Sequence, residues 1–320
     1  MTPTQFTGFA AGQGGYESYF LRAAAPDRAQ GLWLRHTIHK QPGHAPAGSI
    51  WLTLFDRDAP SPTARKRTFA GPQTDAGAYL RIAGSEFRAD GVRGSFDDAA
   101  YDISIASRGE GFRHLPRAWM YRAPLPKTKL ETPHPSVTLA GTVRAGNTEM
   151  DVGGWRGTVG HNWGSQHAER WIYLHGTGFA EAPDAWLDLA IGRVRVGRFV
   201  SPWVANGMLC VGGDRHRLGG PLGRPQIDED ALRVDFSLRG KGLGLKGTVH
   251  SPRASTVVFR YADPDLHEHH TAHCSVAAMD LVATPDGQVP LRLSTAHGGC
   301  YELGMTETDY GLPVQPFPDP

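Results

Sequence analysis

Residues 154–176 read GWRGTVGHNWGSQHAERWIYLHG and group acid–base and aromatic side chains more densely than any other stretch of the chain. Successive side chains of an extended strand point to opposite faces. One face of this segment would therefore carry His167, Glu169, Trp171, Tyr173 and His175. A solvated face does not need the aromatic rings, and an ordinary core does not need the acid–base groups, so the pattern is typical of a cavity wall. The alternative is a turn around a buried tryptophan whose histidines are satisfied by hydrogen bonds.

Glycine and proline shape the rest of the chain. Forty glycines and 24 prolines separate short apolar runs, and few segments keep a helical period. Runs that alternate apolar and polar residues, or are rich in β-formers, predict strands. These runs are residues 31–38, 49–55, 101–106, 136–143, 171–177, 185–191, 231–238, 255–261 and 272–282. The sequence therefore predicts an all-β protein of antiparallel strands.

The length of 320 residues exceeds that of a usual single core, so either two domains or one large β architecture is expected. Residues 121–135 read YRAPLPKTKLETPHP, and their four prolines cannot donate to a sheet ladder. We therefore predict an extended linker at 126–135 between domains at 1–125 and 136–320. A second passage rich in glycine and proline, residues 219–226, is either another boundary or a long connection within the second domain.

Charge and composition exclude several classes of partner. Thirty-three Lys and Arg against 32 Asp and Glu leave a net charge of +1, which gives no reason to expect nucleic acid or an anionic membrane. No stretch approaches the roughly 20 apolar residues of a transmembrane segment, and the start lacks a signal pattern, so we expect a cytoplasmic protein. Cys210, Cys274 and Cys300 form no CxxC pair and are expected to be reduced core residues. The oligomeric state is open.

Two pairs of residues suggest a proton-transfer site. His161 and Trp163 share a face of an extended segment, and Trp186 and Asp188 share a face of an otherwise apolar strand. A buried carboxylate needs a partner, and pairing with a histidine leaves a tunable proton between the two groups. We therefore predict His161 and Asp188 as a catalytic pair. Alternatively, Asp188 binds backbone amides at a strand end.

The other polar clusters are less specific. His267, His269, His270 and His273 follow a turn sequence, Asp-Pro-Asp, and favour a loop that faces water over a metal site. A metal site would need these residues, or the earlier histidines at 161, 167 and 175. Arg35 lies on one face with Trp33 and suits either a cavity or the core. No Rossmann fingerprint, P-loop or serine-hydrolase elbow occurs, so no cofactor and no metal are expected.

The motif region resembles the tandem lipocalin-like (AttH/CrtC-like) family of carotenoid 1,2-hydratase, tocopherol cyclase-like proteins and fungal Diels–Alderases. The resemblance rests on residues 154–176 and on WLDLAIG at 186–192, and covers residues 137 to about 220. It implies two tandem lipocalin-like antiparallel β-barrel or sandwich domains, with a ligand cavity in or between them. The hydratase motif, Asp-His-x-Trp-Gly with a later aromatic-x-Asp, maps onto His161, Trp163, Trp186 and Asp188. Gly160 stands where that motif has aspartate, so the hydratase reaction does not carry over directly.

The expected function is a cofactor-independent hydration, cyclisation or isomerisation of a large isoprenoid, polyene or polyketide-like substrate. Protonation of an alkene leaves a cation that aromatic faces stabilise and that must be shielded from water. The residues expected to bind the substrate are Trp163, His167, Glu169, Trp171, Tyr173, His175, Trp186 and Arg35. The alternative is a lipocalin-like carrier that binds a lipophilic molecule without turnover.

Overall fold

A computed structural model describes residues 4–75, 77–220 and 223–317, and contains no α-helix within these ranges. Three short 3-10 helices lie at Phe6–Gly8, Ala118–Tyr121 and Arg253–Ser255. Nearly all of the remaining regular structure is antiparallel β-sheet, which confirms the predicted all-β class.

The N-terminal half forms the first sheet, which has 13 strands among the described residues. They are β1 (Gly15–Ala24), β2 (Gln30–Lys40), β3 (Ala47–Asp56), β4 (Thr63–Ala70), β5 (Gln73–Asp75), β6 (Ala78–Ile82), β7 (Ser85–Phe87), β8 (Gly91–Phe96), β9 (Ala99–Ser107), β10 (Phe112–Arg113), β11 (Thr128–Ala145), β12 (Thr148–Asp151) and β13 (Arg156–Gly164).

The C-terminal half forms the second sheet and a small two-stranded ribbon. The strands are β14 (Arg170–Gly176), β15 (Trp186–Arg193), β16 (Arg195–Val196), β17 (Phe199–Val200), β18 (Val204–Val211), β19 (Asp214–Gly219), β20 (Gln226–Glu229), β21 (Arg233–Gly240), β22 (Leu243–His250), β23 (Val257–Ala262), β24 (Glu268–Pro285) and β25 (Leu291–Met305).

The first sheet runs in the order β4-β3-β2-β1-β13-β11-β9-β8-β7-β6-β5 and curves around its own apolar core. Strand β13, which carries the His161 motif, pairs with β1 on one side and with β11 on the other. Nearly every residue of β1 and β2 is buried, because one face covers this core and the other packs against the second sheet. The motif strand therefore lies in the interior of the protein.

The second sheet closes into an eight-stranded barrel within the described residues, in the order β14-β25-β24-β22-β21-β19-β18-β15. The ring closes between β19 and β21 through Leu218 and Gly240. Apolar side chains such as Leu174, Leu187 and Phe236 belong to the core cluster of this half. The predicted tandem lipocalin-like fold is thus present as one curved sheet and one closed barrel.

Aromatic residues join the two sheets. Trp33 of β2 stacks on Phe259 of β23 with ring centroids 5.5 Å apart, and Trp51 of β3 meets the same ring edge-on at 5.4 Å. Burying large aromatic rings dominates the energetics of such contacts. The outer face of β2 and β3 is therefore fixed against the barrel, and this contact defines one end of the space between the sheets.

The predicted strands are confirmed, but the predicted linker is wrong. Residues 128–135 belong to β11, which pairs with β13, and the chain passes between the sheets at 165–169 instead. The β11–β13 register shifts between Glu131 and His134 and again between His134 and Val137. Prolines 133 and 135 fall within these irregularities, where no ladder hydrogen bond is required of them. The alternative boundary at 219–226 includes residues 221 and 222, which lie outside the described residues.

The structure also bears on the cysteines and on membrane-spanning helices. Cys210, Cys274 and Cys300 carry free thiols, and the last two are buried, as expected of core residues. No helix in the described ranges is both long and apolar enough to cross a membrane.

Candidate active site

A cavity of about 550 Å³ lies between the two sheets. Its first wall comes from β1 and β2, and its second wall from the outer face of the barrel. The lining includes Phe20, Arg22, Trp33 and Arg35 on the first wall and Trp171, Tyr173, His273 and Glu302 on the second. The resemblance implied a cavity in or between the domains, and the structure places this one between the sheets.

Three polar side chains form a row across neighbouring barrel strands. Tyr173 of β14 lies directly opposite Glu302 of β25, which in turn lies opposite His273 of β24. Directly opposed residues in an antiparallel pair have Cβ atoms about 5 Å apart and share a face. The phenol, the carboxylate and the imidazole therefore lie side by side on the face of the three strands that lines the cavity.

Glu302 is held as a carboxylate. Its Oε2 lies 3.0 Å from Nδ1 of His273, and Nε1 of Trp171 donates to its Oε1 at 2.9 Å. Burial raises the pKa of Glu302, but the hydrogen bond and charge of His273, with the Trp171 hydrogen bond, lower it further, so the pKa lies below its usual range. The cavity thus contains an ionised proton acceptor at neutral pH.

Tyr173 is held as a proton donor. Its hydroxyl donates to Oδ2 of Asp188 at 3.2 Å. Burial, followed by the charge of Asp188, raises the pKa of Tyr173 far above its ordinary value. The phenol therefore stays protonated beside the ionised Glu302, so this row presents a neutral phenol and a carboxylate to the cavity.

Asp188 belongs to a buried relay behind Tyr173. The Thr132 hydroxyl donates to Oδ2 of Asp188 at 2.9 Å and lies 3.0 Å from Nε2 of His114, whose Nδ1 donates to the Asn206 carbonyl at 2.9 Å. One buried chain of hydrogen bonds thus links Tyr173, Asp188, Thr132 and His114.

Two arginines supply positive charge on the opposite wall. The buried Arg22 donates to the carbonyl oxygens of Ser275 and Gly299 at 2.6 Å each and to Nδ1 of His175 at 3.1 Å. Among the described residues, no carboxylate is a partner of Arg22. Arg35 stacks over the ring of Tyr261 at 4.5 Å. A buried guanidinium without a counter-ion stabilises negative charge on a ligand oxygen.

The predicted His161–Asp188 pair is wrong. Nε2 of His161 binds Glu17 at 2.7 Å and Nδ1 binds Glu131 at 3.1 Å, while Asp188 binds Thr132, Tyr173 and His114. Side chains at 161 and 163 face the core of the first sheet, whereas Asn162 between them faces the cavity. The two predicted partners therefore lie on different faces of different sheets.

The His161 cluster is closed to solvent. The imidazole is fully buried and stacks between Tyr19 and Trp163, with ring centroids at 4.0 and 4.5 Å. Burial lowers the pKa of His161, but the hydrogen bonds and charges of Glu131 and Glu17 raise it further, so the net shift is upward. The motif histidine is thus a cation held between two carboxylates. Glu17 also accepts the backbone N–H of Phe6, which ties the N-terminal segment to the sheet.

The remaining predicted substrate-binding residues divide into two groups. His167, Trp171, Tyr173 and Arg35 line the cavity. Four others do not: Trp163 packs beside His161, Glu169 pairs with Arg195 near the surface, His175 is buried against Arg22, and Trp186 packs on Phe112. The strand begins only at Arg170, so the even alternation expected from residue 167 to residue 175 does not extend to Glu169.

The prediction for the second histidine cluster is wrong in three of four positions. His267 is exposed in a turn, but His269, His270 and His273 lie in β24 and are buried. The Asp-Pro-Asp sequence correctly indicated a turn, but strand β24 begins one residue after His267. Sequence reasoning thereby missed His273, and it also missed Glu302, His114 and Arg22, which lie far from the motif and come together only through strand pairing.

The surroundings of residue 160 explain why it is a glycine where the family motif has aspartate. Gly160 lies on the same face of β13 as Asn162, and a Cβ built on it would be 2.0 Å from the ring of Phe20. Phe20 is its partner on β1 and packs edge-on against Tyr173 at 5.6 Å. In this chain an aromatic ring therefore occupies the space next to residue 160 that a larger side chain would need.

Comparisons with known proteins identify the fold. No family model matches the chain. It is 28% identical over 163 residues to an uncharacterised protein found in two strains of Mycobacterium tuberculosis, a match that covers 51% of this chain and 49% of theirs. The chain thus spans about half the length of the curated relatives it matches.

Solved structures match over nearly the whole chain. An AttH-like protein of Nitrosomonas europaea has a TM-score of 0.56 at 11% identity and covers 96% of both chains. Kievitone hydratase of Nectria haematococca scores 0.57 at 8% identity, with 96% of both chains covered. The protein CghA scores 0.58 at 11% identity, with 91% of this chain and 87% of its own chain covered. The predicted resemblance to the AttH/CrtC-like lipocalin family is confirmed at the level of the fold.

Proposed function

We propose that this protein is an enzyme that hydrates, cyclises or isomerises a large apolar molecule by acid–base catalysis in the cavity between the sheets. The observation that carries the proposal is the pairing of a protonated Tyr173 with an ionised Glu302 on adjacent strands of the cavity wall. One group gives a proton where the other takes one, and neither role needs a nucleotide cofactor.

The relay behind Tyr173 supports turnover. A phenol that donates its proton must be reprotonated, and the hydrogen-bonded chain of Asp188, Thr132 and His114 offers a route for that proton. Glu302, backed by His273, accepts a proton from an attacking water in hydration or from a carbon acid in isomerisation. Arg22, on the opposite wall, stabilises an oxygen that becomes negative in either case.

The composition of the walls supports a large apolar substrate. The lining is largely apolar and aromatic, with Trp33, Trp171 and Phe20 among its rings. A volume of about 550 Å³ lies within the usual range for small-molecule sites. An isoprenoid, polyene or polyketide-like substrate with one polar oxygen, directed to Arg22, fits this distribution. The name of one structural neighbour, kievitone hydratase, supports hydration as the reaction class.

The test begins with native mass spectrometry of gently purified protein, followed by incubation with a panel of isoprenoids, polyenes and polyketides in deuterated water. We expect at least one compound to gain a water or a carbon-bound deuterium, or to change its ring count. With that compound, Tyr173→Phe and Glu302→Gln should each lower kcat by about 100- to 10,000-fold.

The matched controls are Tyr310→Phe and Glu307→Gln, two residues of the same types that do not line the cavity. Their kcat should be unchanged. A compound that binds with high affinity and is returned without water, deuterium or rearrangement would instead identify the protein as a lipocalin-like carrier, which an apolar cavity also permits.

A further inference from the structure

A second cluster of polar side chains lies at the edge of the cavity and has no part in the proposed reaction. His167 comes from the connection between the two sheets, Asp263 from the turn after β23, and His269 from the start of β24. One possible ligand atom from each residue lies within 4.8 Å of those of the other two. Asp263 and His269 are almost entirely buried, and the His167 side chain is 8% exposed.

Several polar atoms of this cluster have no hydrogen-bond partner. They are Nε2 of His167, Oδ2 of Asp263 and Nδ1 of His269, all inaccessible to solvent. Oδ2 of Asp263 and Nδ1 of His269 are 3.8 Å apart, too far for a hydrogen bond. Buried polar atoms are nearly always satisfied, and three unsatisfied ones in one place indicate an unseen partner such as a metal ion or a water.

The chemistry of the cluster favours a metal ion. Two imidazoles and one carboxylate are the donors that zinc and related divalent transition metals use, whereas calcium and magnesium use oxygen donors alone. Oδ1 of Asp263 accepts the backbone N–H of His167 and lies 2.7 Å from Nδ1 of the same residue, so the carboxylate and this imidazole meet at one point.

We infer that His167, Asp263 and His269 form a binding site for one divalent transition metal ion such as Zn²⁺. Aromatic rings fix the position of His167, which stacks on Tyr16 at 4.1 Å and on Trp171 at 5.4 Å. His167 also lines the cavity, so the ion lies next to the substrate space. Three protein ligands leave one position of a tetrahedral ion for water or a ligand oxygen.

The site combines residues that the sequence separates by about 100 positions. Each histidine belongs to one of the two sets that the sequence analysis considered for a metal, and Asp263 belongs to neither. The ion would join the connection between the sheets to the β23–β24 hairpin. This inference is independent of the proposed function, because the Tyr173–Glu302 pair and its relay share no residue with it.

The test titrates Zn²⁺ into the full-length protein after removal of metals with a chelator, using isothermal calorimetry. We expect close to one equivalent of tightly bound zinc, and a Co²⁺-loaded sample should show the visible absorption of a nitrogen- and oxygen-ligated ion. His269→Ala and Asp263→Asn should each weaken zinc binding by about 100-fold or more, since loss of even an outer-shell partner costs 10- to 100-fold.

The matched control is His267→Ala, which removes an exposed histidine two positions from His269. Its zinc affinity should equal that of the wild type. Circular dichroism checks that each variant is folded, and His269→Gln replaces any alanine variant that is not. Absence of stoichiometric binding to the wild type, or equal affinity in all folded variants, would overturn the inference.

Discussion

The protein contains two histidine–carboxylate groups of similar geometry and opposite accessibility. In the first sheet, both nitrogens of His161 bind carboxylates, and aromatic rings cover both of its faces. In the barrel, His273 binds Glu302 at a similar distance, but both residues line a cavity. The comparison shows that the residue types of a motif do not decide its role. A fully saturated ion pair stabilises the fold, whereas a pair at a cavity wall can exchange protons with a ligand.

The largest effect on stability should come from His161→Ala. The substitution removes the buried cation that Glu17 and Glu131 share, and breaking a buried ion pair in this way costs about 3–5 kcal/mol. Urea unfolding at pH 6 measures the change. The matched variant is His267→Ala, whose exposed imidazole should contribute little. A His161→Ala protein as stable as the wild type would remove the structural role assigned to the motif.

A smaller effect should follow Gly160→Ala. The added Cβ meets the Phe20 ring, and overpacking of this kind costs about 1–3 kcal/mol. If the Phe20 ring causes the overpacking, Gly160→Ala should lower the stability less in a Phe20→Ala background than in the wild type. A double-mutant cycle in urea detects this coupling. Additive losses would mean that Phe20 does not determine the identity of residue 160.

The buried histidines should change the stability of the protein in opposite directions as the pH changes. Burial lowers the pKa of His36 to about 3, and burial with the charge of Arg22 lowers that of His175 to about 3. Below about pH 6.5 the unfolded chain takes up protons that the folded protein does not, so stability falls as the pH decreases. Each group contributes a slope of up to about 1.4 kcal/mol per pH unit.

His161 has the opposite dependence. Because its pKa is raised, its stabilisation is fully present below about pH 6.5 and is lost as the pH rises through the value in the folded protein. The difference in unfolding free energy between the wild type and His161→Ala should therefore decrease from pH 6 to pH 9. In His36→Gln, the unfolding free energy should fall less steeply with decreasing pH below pH 6.5. Parallel stability curves for the variants and the wild type would contradict both assignments.

The strands could be predicted from the sequence because alternation and turn residues are local signals. Trp171 and Tyr173 could also be placed on a cavity wall, since both belong to one strand. The partner of His161 could not, because Glu17 reaches it through the β1–β13 pairing, 144 positions along the chain. Glu302 gave no signal of its own, because its position opposite Tyr173 depends on how the barrel closes.

The central claim is that proton transfer takes place at Glu302 and Tyr173 while the motif histidine supports the fold. The most direct measurement compares kcat and urea stability of Glu302→Gln and His161→Ala, at a temperature where both are folded, with the first substrate that the panel provides. We expect Glu302→Gln to lose turnover and keep its stability, and His161→Ala to lose stability and keep turnover. The reverse pattern would show that the two residues have been assigned the wrong roles.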